Sequence, residues 1–441
     1  MSILIRGGRV LDPHSGRDAQ ADIAIASGRV VRIGTLPAGF VADRVLDASG
    51  CWVLPGLVDL NVRLGEPGNE HAGMLESEMT AAVAGGVTSL VCPPDTDPIL
   101  DEPGLVEMLR MRAEKLHQAR VFPQGALTRG LDGRILSELV QLTLAGCVAF
   151  GQAEKPIVDT RVLQRALQYA ATFGYPVWLR PLEPWLCGGV AASGLVATRK
   201  GLSGVPALSE TIALHVIFEL LRGMATDAGG PHVHLCRISS AAGVALLRAA
   251  RAEGLQVTAD VSIHSLLLTD EDIADFDSRA RLLPPLRQDA DRQALSDALA
   301  DGTIDALVSD HTPVRSDAKE LPFALAEPGA TGLELLLPLA LQWGRQAGGP
   351  GLQRALSVVT HGPAAVLGSA LGTLGASCGR IVEGGAADLC IVDPDQSWQA
   401  RAGELRSQGK LTPFAERMLE GRVRHTLVGG HVAYSRPGAA G

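Results

Sequence analysis

The stretch Pro55-Gly56-Leu57-Val58-Asp59-Leu60-Asn61-Val62-Arg63-Leu64-Gly65-Glu66-Pro67-Gly68 decides the fold. Val58 to Leu64 reads as a buried strand, and Glu66-Pro67-Gly68 reads as the turn that ends it. Further short apolar runs follow it along the chain: Ser89–Cys92, Val121–Pro123, Cys147–Phe150, Pro176–Leu179, Val233–Cys236, Val257–Val261 and Ala306–Ser309. Helical stretches separate them, at Glu76–Gly85, Arg161–Phe173, Ser209–Arg222 and Ala241–Gly254. Continuous apolar strands alternating with amphipathic helices indicate a parallel sheet covered on its outside. Eight such strands in a chain of this length predict a (β/α)8 TIM barrel.

Both ends of the chain have a different texture. Residues 2–54 carry short β-rich runs broken by glycine, such as Ile3-Leu4-Ile5-Arg6 before Gly7-Gly8 and Ile23-Ala24-Ile25 before Ser27-Gly28. Ala387–Val392 and Val423–Val428 read the same way. The two ends are therefore expected to meet in one small composite β-sandwich. The expected division is 1–54 for its N-terminal part, 55–365 for the barrel, and 366–441 for its C-terminal part and tail. Gly348–Gly351 and Pro437–Gly441 are expected to be mobile.

The chain has 441 residues, 46% hydrophobic, with formal net charge −9. That length supports a large core. The acidity argues against a nucleic-acid partner, which favours a basic surface. No basic segment followed by an apolar run opens the chain, and no uncharged apolar stretch reaches about 20 residues. The expectation is a cytoplasmic protein with no membrane span. Seven scattered cysteines without a Cys-x-x-Cys pair read as buried thiols in a reducing compartment.

The first strand resembles that of the cyclic amidohydrolases, and within them the dihydroorotases. So do Ala84–Thr88, Gly125–Thr128, Leu266–Asp270, Pro284–Arg287, Ser309–His311 and Glu327–Gly329, in that order along nearly the whole chain. The resemblance implies a two-zinc site at the C-terminal ends of the strands. Two histidines would close strand one, a bridging carboxylate strand four, and one histidine each strands five and six, with an aspartate base on strand eight. The matching histidine positions hold Asn61, Arg63, Arg180 and Arg237, and Phe150-Gly151-Gln152-Ala153 offers no carboxylate at the bridge. Asp310 is retained. Zinc needs donors with a free lone pair, and a guanidinium has none and repels a cation. The substrate side departs too. The arginine that would hold the substrate carboxylate is Gly65, and an asparagine after strand two is Asp95, which would repel an anionic substrate.

No catalytic, metal or cofactor residue is therefore assigned, and the zinc site is expected to be lost. His232-x-His234 is disfavoured as a metal pair, since the matching end of that strand is Arg237. His264 and His311 are expected to be hydrogen-bonded framework residues. Asp260 and Glu334 are expected to be structural, and Lys155 a solvated loop residue. Arg180 or Arg237 is expected to pair with Asp310 and fill the vacated space. The resemblance implies an inactive chain that associates with aspartate carbamoyltransferase as an assembly subunit, in a homo- or hetero-oligomer. An active hydrolase with a divergent or metal-free site, and a small-anion binding module using the arginines, are the alternatives.

Overall fold

A computed structural model describes residues 2–225, 230–346 and 348–438. Of the C-terminal stretch expected to be mobile, 439–441 lie outside the described residues.

The chain opens with five strands: β1 (Ser2–Asp12), β2 (Arg17–Ala26), β3 (Arg29–Ile33), β4 (Arg44–Asp47) and β5 (Trp52–Pro55). The barrel strands follow as β6 (Leu57–Asp59), β7 (Val87–Cys92), β8 (Arg120–Ala126), β9 (Ala149–Gly151) and β10 (Val177–Leu179). A two-residue ribbon, β11 (Ala191–Ala192) with β12 (Gly204–Val205), interrupts the series. Then come β13 (Val233–Leu235), β14 (Val257–Ser262) and β15 (Ala306–Val308). The eight strands lie parallel in the order β15-β14-β13-β10-β9-β8-β7-β6. The seam between β15 and β6 is closed by one bridge, Val62 to His311, and by the Arg63 amide donating to the His311 carbonyl at 2.9 Å.

The first barrel strand is shorter than its sequence suggests. The ladder stops at Asp59, although the apolar alternation runs on to Leu64. Beyond that point the backbone amides take separate partners: Asn61 N–H turns to the Asp59 side chain, Val62 N–H to the Val91 carbonyl and Arg63 N–H to His311. A seam strand splits its bonds between two neighbours, so the apolar pattern outlasts the ladder. A second departure is at Gly7-Gly8. This pair marks a bulge inside the long strand β1, where the register with β2 shifts between Ile5 and Gly8. A Cβ on Gly8 would come within 2.5 Å of Val53 Cγ2, so β1 needs glycine to lie against β5.

The connecting helices begin with α1 (Leu75–Ala84), α2 (Pro103–Lys115), α3 (Leu139–Ala145) and α4 (Thr160–Phe173). Helix α4 shows why they form where they do. Leu163, Ala166, Leu167 and Ala170 recur on one face and are buried against the barrel. The Asp159 side chain accepts the Arg161 N–H at 2.8 Å at the start, and Gly174, with φ +69°, ends it. Each buried leucine contributes roughly 1.5–3 kcal/mol. After β12 come α5 (Leu208–Met224), α6 (Ala241–Ala252) and α7 (Asp289–Asp301), and then α8 (Leu336–Arg345), α9 (Leu352–Ser357) and α10 (His361–Leu367).

Val58, Leu60, Val91, Trp178, Ala306 and Val308 fill the barrel interior together with Ala364 and Leu367 of α10. The helical run Leu352–Leu374 is apolar and long enough to cross a membrane by composition, yet most of it is buried inside this protein.

The last strands, β16 (Leu389–Gln399), β17 (Met418–Val428) and β18 (His431–Ser435), join β1–β5 in one sheet of order β18-β17-β16-β5-β1-β2-β3, with β4 also on β1. β1 divides the sheet. Ile3–Arg6 pair with β4, and Arg9 and Val10 pair with β5. Ile3, Ile5, Ile23, Leu46, Val53 and Leu389 share a core of their own between the two branches. This is the composite β-sandwich built from both termini. Five of the seven cysteines are buried, and Cys187 and Cys236 are partly exposed.

Candidate functional site

Chemistry on a barrel of this kind sits at the C-terminal ends of the strands. Those ends bring together Arg63 beyond β6, Asp95 beyond β7, Arg180 after β10, Arg237 after β13 and Asp310 after β15. One further residue joins them. Glu154, in the loop from β9 to α4, reaches back over the mouth.

The six charges form one network. Arg63 donates Nε and Nη2 to Asp95 Oδ2 at 3.0 and 2.8 Å, Nη1 to Thr312 Oγ1 at 3.0 Å, and Nη2 to Glu154 Oε1 at 3.2 Å. Arg180 donates Nη1 to Glu154 Oε2, and Arg237 donates Nη2 to Glu154 Oε1. Arg237 also donates Nη1 to Asp310 Oδ1 at 3.1 Å, and Asn61 Nδ2 donates to the same oxygen at 2.7 Å. Three guanidiniums thus face three carboxylates. Charge-assisted bonds of this density hold side chains in fixed positions. Of the two arginines either of which was expected to reach Asp310, Arg237 does so, whereas Arg180 is held by Glu154.

The local backbone serves this arrangement. Arg237 and Asp310 have φ of +55° and +50°, in the left-handed region that non-glycine residues rarely adopt. A sharp turn therefore follows each strand, and the two side chains meet above the barrel. Gly65 has φ +77°, and a Cβ there would lie 1.8 Å from the Gly73 carbonyl oxygen. This position has no room for any side chain, let alone an arginine.

Burial moves the protonation equilibria. Arg180 falls to about 9, first from burial and then from the Arg237 charge beside it, with Asp310 opposing. Asp310 rises because burial outweighs the attraction of Arg237, Arg63 and Arg180. Arg237 also rises, because Asp310 and its other anionic neighbours outweigh the effect of burial. Below the mouth Asp59 is pushed up to about 7 by burial. The bonds from Ser309 and Asn61 oppose this, and its Oδ2 has no partner among the described residues.

The family resemblance implies a metal pair at this mouth, and the donor set does not fit one. Three of the required imidazoles are guanidiniums lying within hydrogen-bond reach of the remaining carboxylates, and the fourth is an amide that donates to Asp310. Deeper in the barrel His234, Cys236 and Asp260 each place one donor atom within 4.8 Å of the others. They are already committed. His234 uses both ring nitrogens, on Thr258 Oγ1 and Asp260 Oδ2, each at 2.9 Å, and Asp260 also accepts the Arg237 N–H at 2.7 Å. Burial drives the Cys236 thiol far up, away from the thiolate that binds metals. His232 stands one residue before β13, and His234 already has both ring nitrogens bonded, so the pair offers no free set of donors.

The other histidines divide. His311 bonds Glu78 Oε2 through Nε2 at 2.7 Å and accepts the Gly332 N–H at 3.1 Å, as a framework residue should. His264 departs from that expectation. Neither of its nitrogens has a partner among the described residues. It is buried, stacked on Phe414 with ring centroids 5.6 Å apart, and burial lowers it to about 3. Packing on an aromatic ring replaces hydrogen bonding there, because the neutral ring behaves as an apolar plate. Glu334 accepts the Arg406 and Ser407 N–H groups, and Lys155 is exposed.

Glu154 is the residue missed by matching motifs. It directly follows the stretch Phe150–Ala153, where the bridging carboxylate was expected, and the loop carries it back over the mouth. A signal for it exists: Glu154 is the one acidic residue between Cys147 and Val158, after strand four. Asp95 also changes its meaning, because its charge is taken up by Arg63.

Comparison with known proteins agrees with this architecture. Residues 50–242 match the family described as Dihydro-orotase-like. A "Dihydroorotase-like protein" of Pseudomonas aeruginosa is 45% identical over 98% of this chain and 100% of its own length. A "Dihydroorotase" of Geobacter sp. is 38% identical over 98% of this chain and 99% of its own. Among solved structures, the L-hydantoinase (dihydropyrimidinase) of Arthrobacter aurescens superposes with a TM-score of 0.84, covering 98% of this chain and 95% of that one at 24% identity, which speaks for the fold. Full-length identity to these relatives, on a barrel whose strand ends carry the family's frame, establishes that the chain belongs to the dihydroorotase-like family of amidohydrolases.

Proposed function

We propose that this chain is a catalytically inactive dihydroorotase homologue that serves as a structural or assembly subunit with aspartate carbamoyltransferase in pyrimidine biosynthesis. One observation carries the first half of this reading: Arg63, Arg180 and Arg237 point their guanidiniums into the mouth, each bonded to a carboxylate. A metal-activated water has no ligands to rest on there, and Asp310 is bonded by Asn61 and Arg237 with no such water to deprotonate. The second half rests on the resemblance. A barrel keeps its core and outer surface while its mouth changes, and those surfaces still support an oligomer. The "Dihydroorotase-like" names of the Pseudomonas relatives are compatible with the first half. A cytoplasmic location belongs to the same proposal.

The test is paired. Elemental analysis and turnover of dihydroorotate and carbamoyl aspartate are measured on one pure sample, and aspartate carbamoyltransferase is sought in what co-purifies. The expected results are less than stoichiometric zinc, no turnover, and loss of transferase assembly when the chain is deleted. Stoichiometric zinc with turnover would favour the second reading, a hydrolase with a divergent site. That reading draws its support from relatives at 38% identity named "Dihydroorotase".

A further inference from the structure

We propose that Arg63, Arg180 and Arg237 form a monocarboxylate-binding site that the chain fills with the side chain of its own Glu154. This goes beyond the assembly role and does not depend on it. Both oxygens of Glu154 are held as a ligand carboxylate would be. Oε1 accepts from Arg63 and Arg237, and Oε2 accepts from Arg180. Arg180 and Arg237 are each more than nine-tenths buried, and their positions are fixed by the strand ends. Glu154 differs from them. It belongs to an irregular loop, and its side chain keeps 26% of its surface exposed, so solvent reaches the carboxylate.

Charge sets the ligand class. With Glu154 in place the three cations meet three anions. With Glu154 withdrawn, Asp95 and Asp310 remain and one positive charge is left over. A small free monocarboxylate restores the balance. A dianion such as phosphate would overshoot it beside two carboxylates already present. Arg180, shifted to about 9, is still charged at pH 8.

The experiment uses the full chain as wild type, Glu154→Gln and Glu154→Ala. Thermal unfolding is followed at pH 8 in sodium formate, sodium chloride and sodium phosphate at matched ionic strength. Formate should raise the melting temperature of both variants saturably, by about 2 °C or more beyond chloride. Wild type should respond alike to formate and chloride, since Glu154 already occupies the site. Phosphate should fall short of formate. A variant too unstable to purify is refolded in formate or in chloride, and formate should recover more folded chain. Equal effects of formate and chloride on the variants would overturn the site. A matching effect of phosphate would overturn the monocarboxylate class, and an equal formate gain in wild type would overturn the role of Glu154.

Discussion

At the scale of single residues, the mouth answers one question: what neutralises acidic groups where the donor set does not fit a dication. Asp310 is buried, and among the described residues only Asn61 and Arg237 contact its carboxylate within hydrogen-bond distance. Removing Arg237 therefore leaves Asp310 without its ion pair and frees Glu154 Oε1 from one of its two donors. Arg237→Met should destabilise the protein by about 3–5 kcal/mol, the usual consequence of orphaning a buried charge. Chemical denaturation at pH 7 checks this, and a loss below about 1 kcal/mol would mean that Asp310 is protonated or reaches water. Gly65 tests the same site from the substrate side. Gly65→Arg restores the family's residue in name only, because the Cβ meets the Gly73 carbonyl and the backbone is left-handed. The expected result is a loss of at least about 1–2 kcal/mol and no gain in binding of dihydroorotate, read by denaturation and calorimetry. The four substitutions at histidine positions were legible in the sequence because the motif frame around them is intact. The role of Glu154 was not, since it depends on a loop returning over the barrel, and spacing along a strand carries no information about that return.

At the scale of elements, the periodicities carried most of the architecture. α4 and α5 start and end within two residues of the expected positions, because apolar spacing, an acidic cap and a following glycine all agree at α4. The strands were legible as apolar runs. Two element boundaries were not. β6 ends early because its amides divide among three partners, and β1 runs through Gly7-Gly8 because a bulge and a turn share the same residues. Contacts between distant elements were also hidden. Glu78 of α1 accepts from Ser407 Oγ at 2.6 Å and from the Gln408 amide at 2.9 Å, besides bonding His311, so it ties residues 405–408 to the barrel. Burial would raise its carboxyl, but the His311 and serine bonds outweigh burial and lower it. Glu78→Ala should cost about 2–4 kcal/mol and expose the segment near Ser407 first. Hydrogen exchange of the Ser407 and Gln408 amides reads this directly. Unchanged protection would show that the segment is held by its other contacts.

At the scale of the whole molecule, a barrel with arginines at its mouth also holds buried acids beneath them, and these set its response to pH. Asp59, inside the barrel, and Glu334, under the 405–417 segment, are both pushed up to about 7 by burial. Each is protonated in the folded chain at pH values where the unfolded chain has already released its proton. The folded state then binds more protons than the unfolded state, so stability falls as pH rises. The contribution is fully present below the ordinary carboxylate range and is lost as pH climbs through about 7. Asp59 has one oxygen accepting from Ser309 and Asn61 and the other without a partner among the described residues, so an asparagine keeps the bonded oxygen and removes the ionisation. Between pH 5 and pH 8 wild type should lose on the order of 2 kcal/mol relative to Asp59→Asn, with the two closest at the acid end. Urea denaturation of both chains at several pH values measures the difference. The slope has a definite sign, and a wild type that gains stability over Asp59→Asn toward pH 8 would place the ionised Asp59 beside a compensating cation, which no described residue supplies within hydrogen-bond reach of its Oδ2.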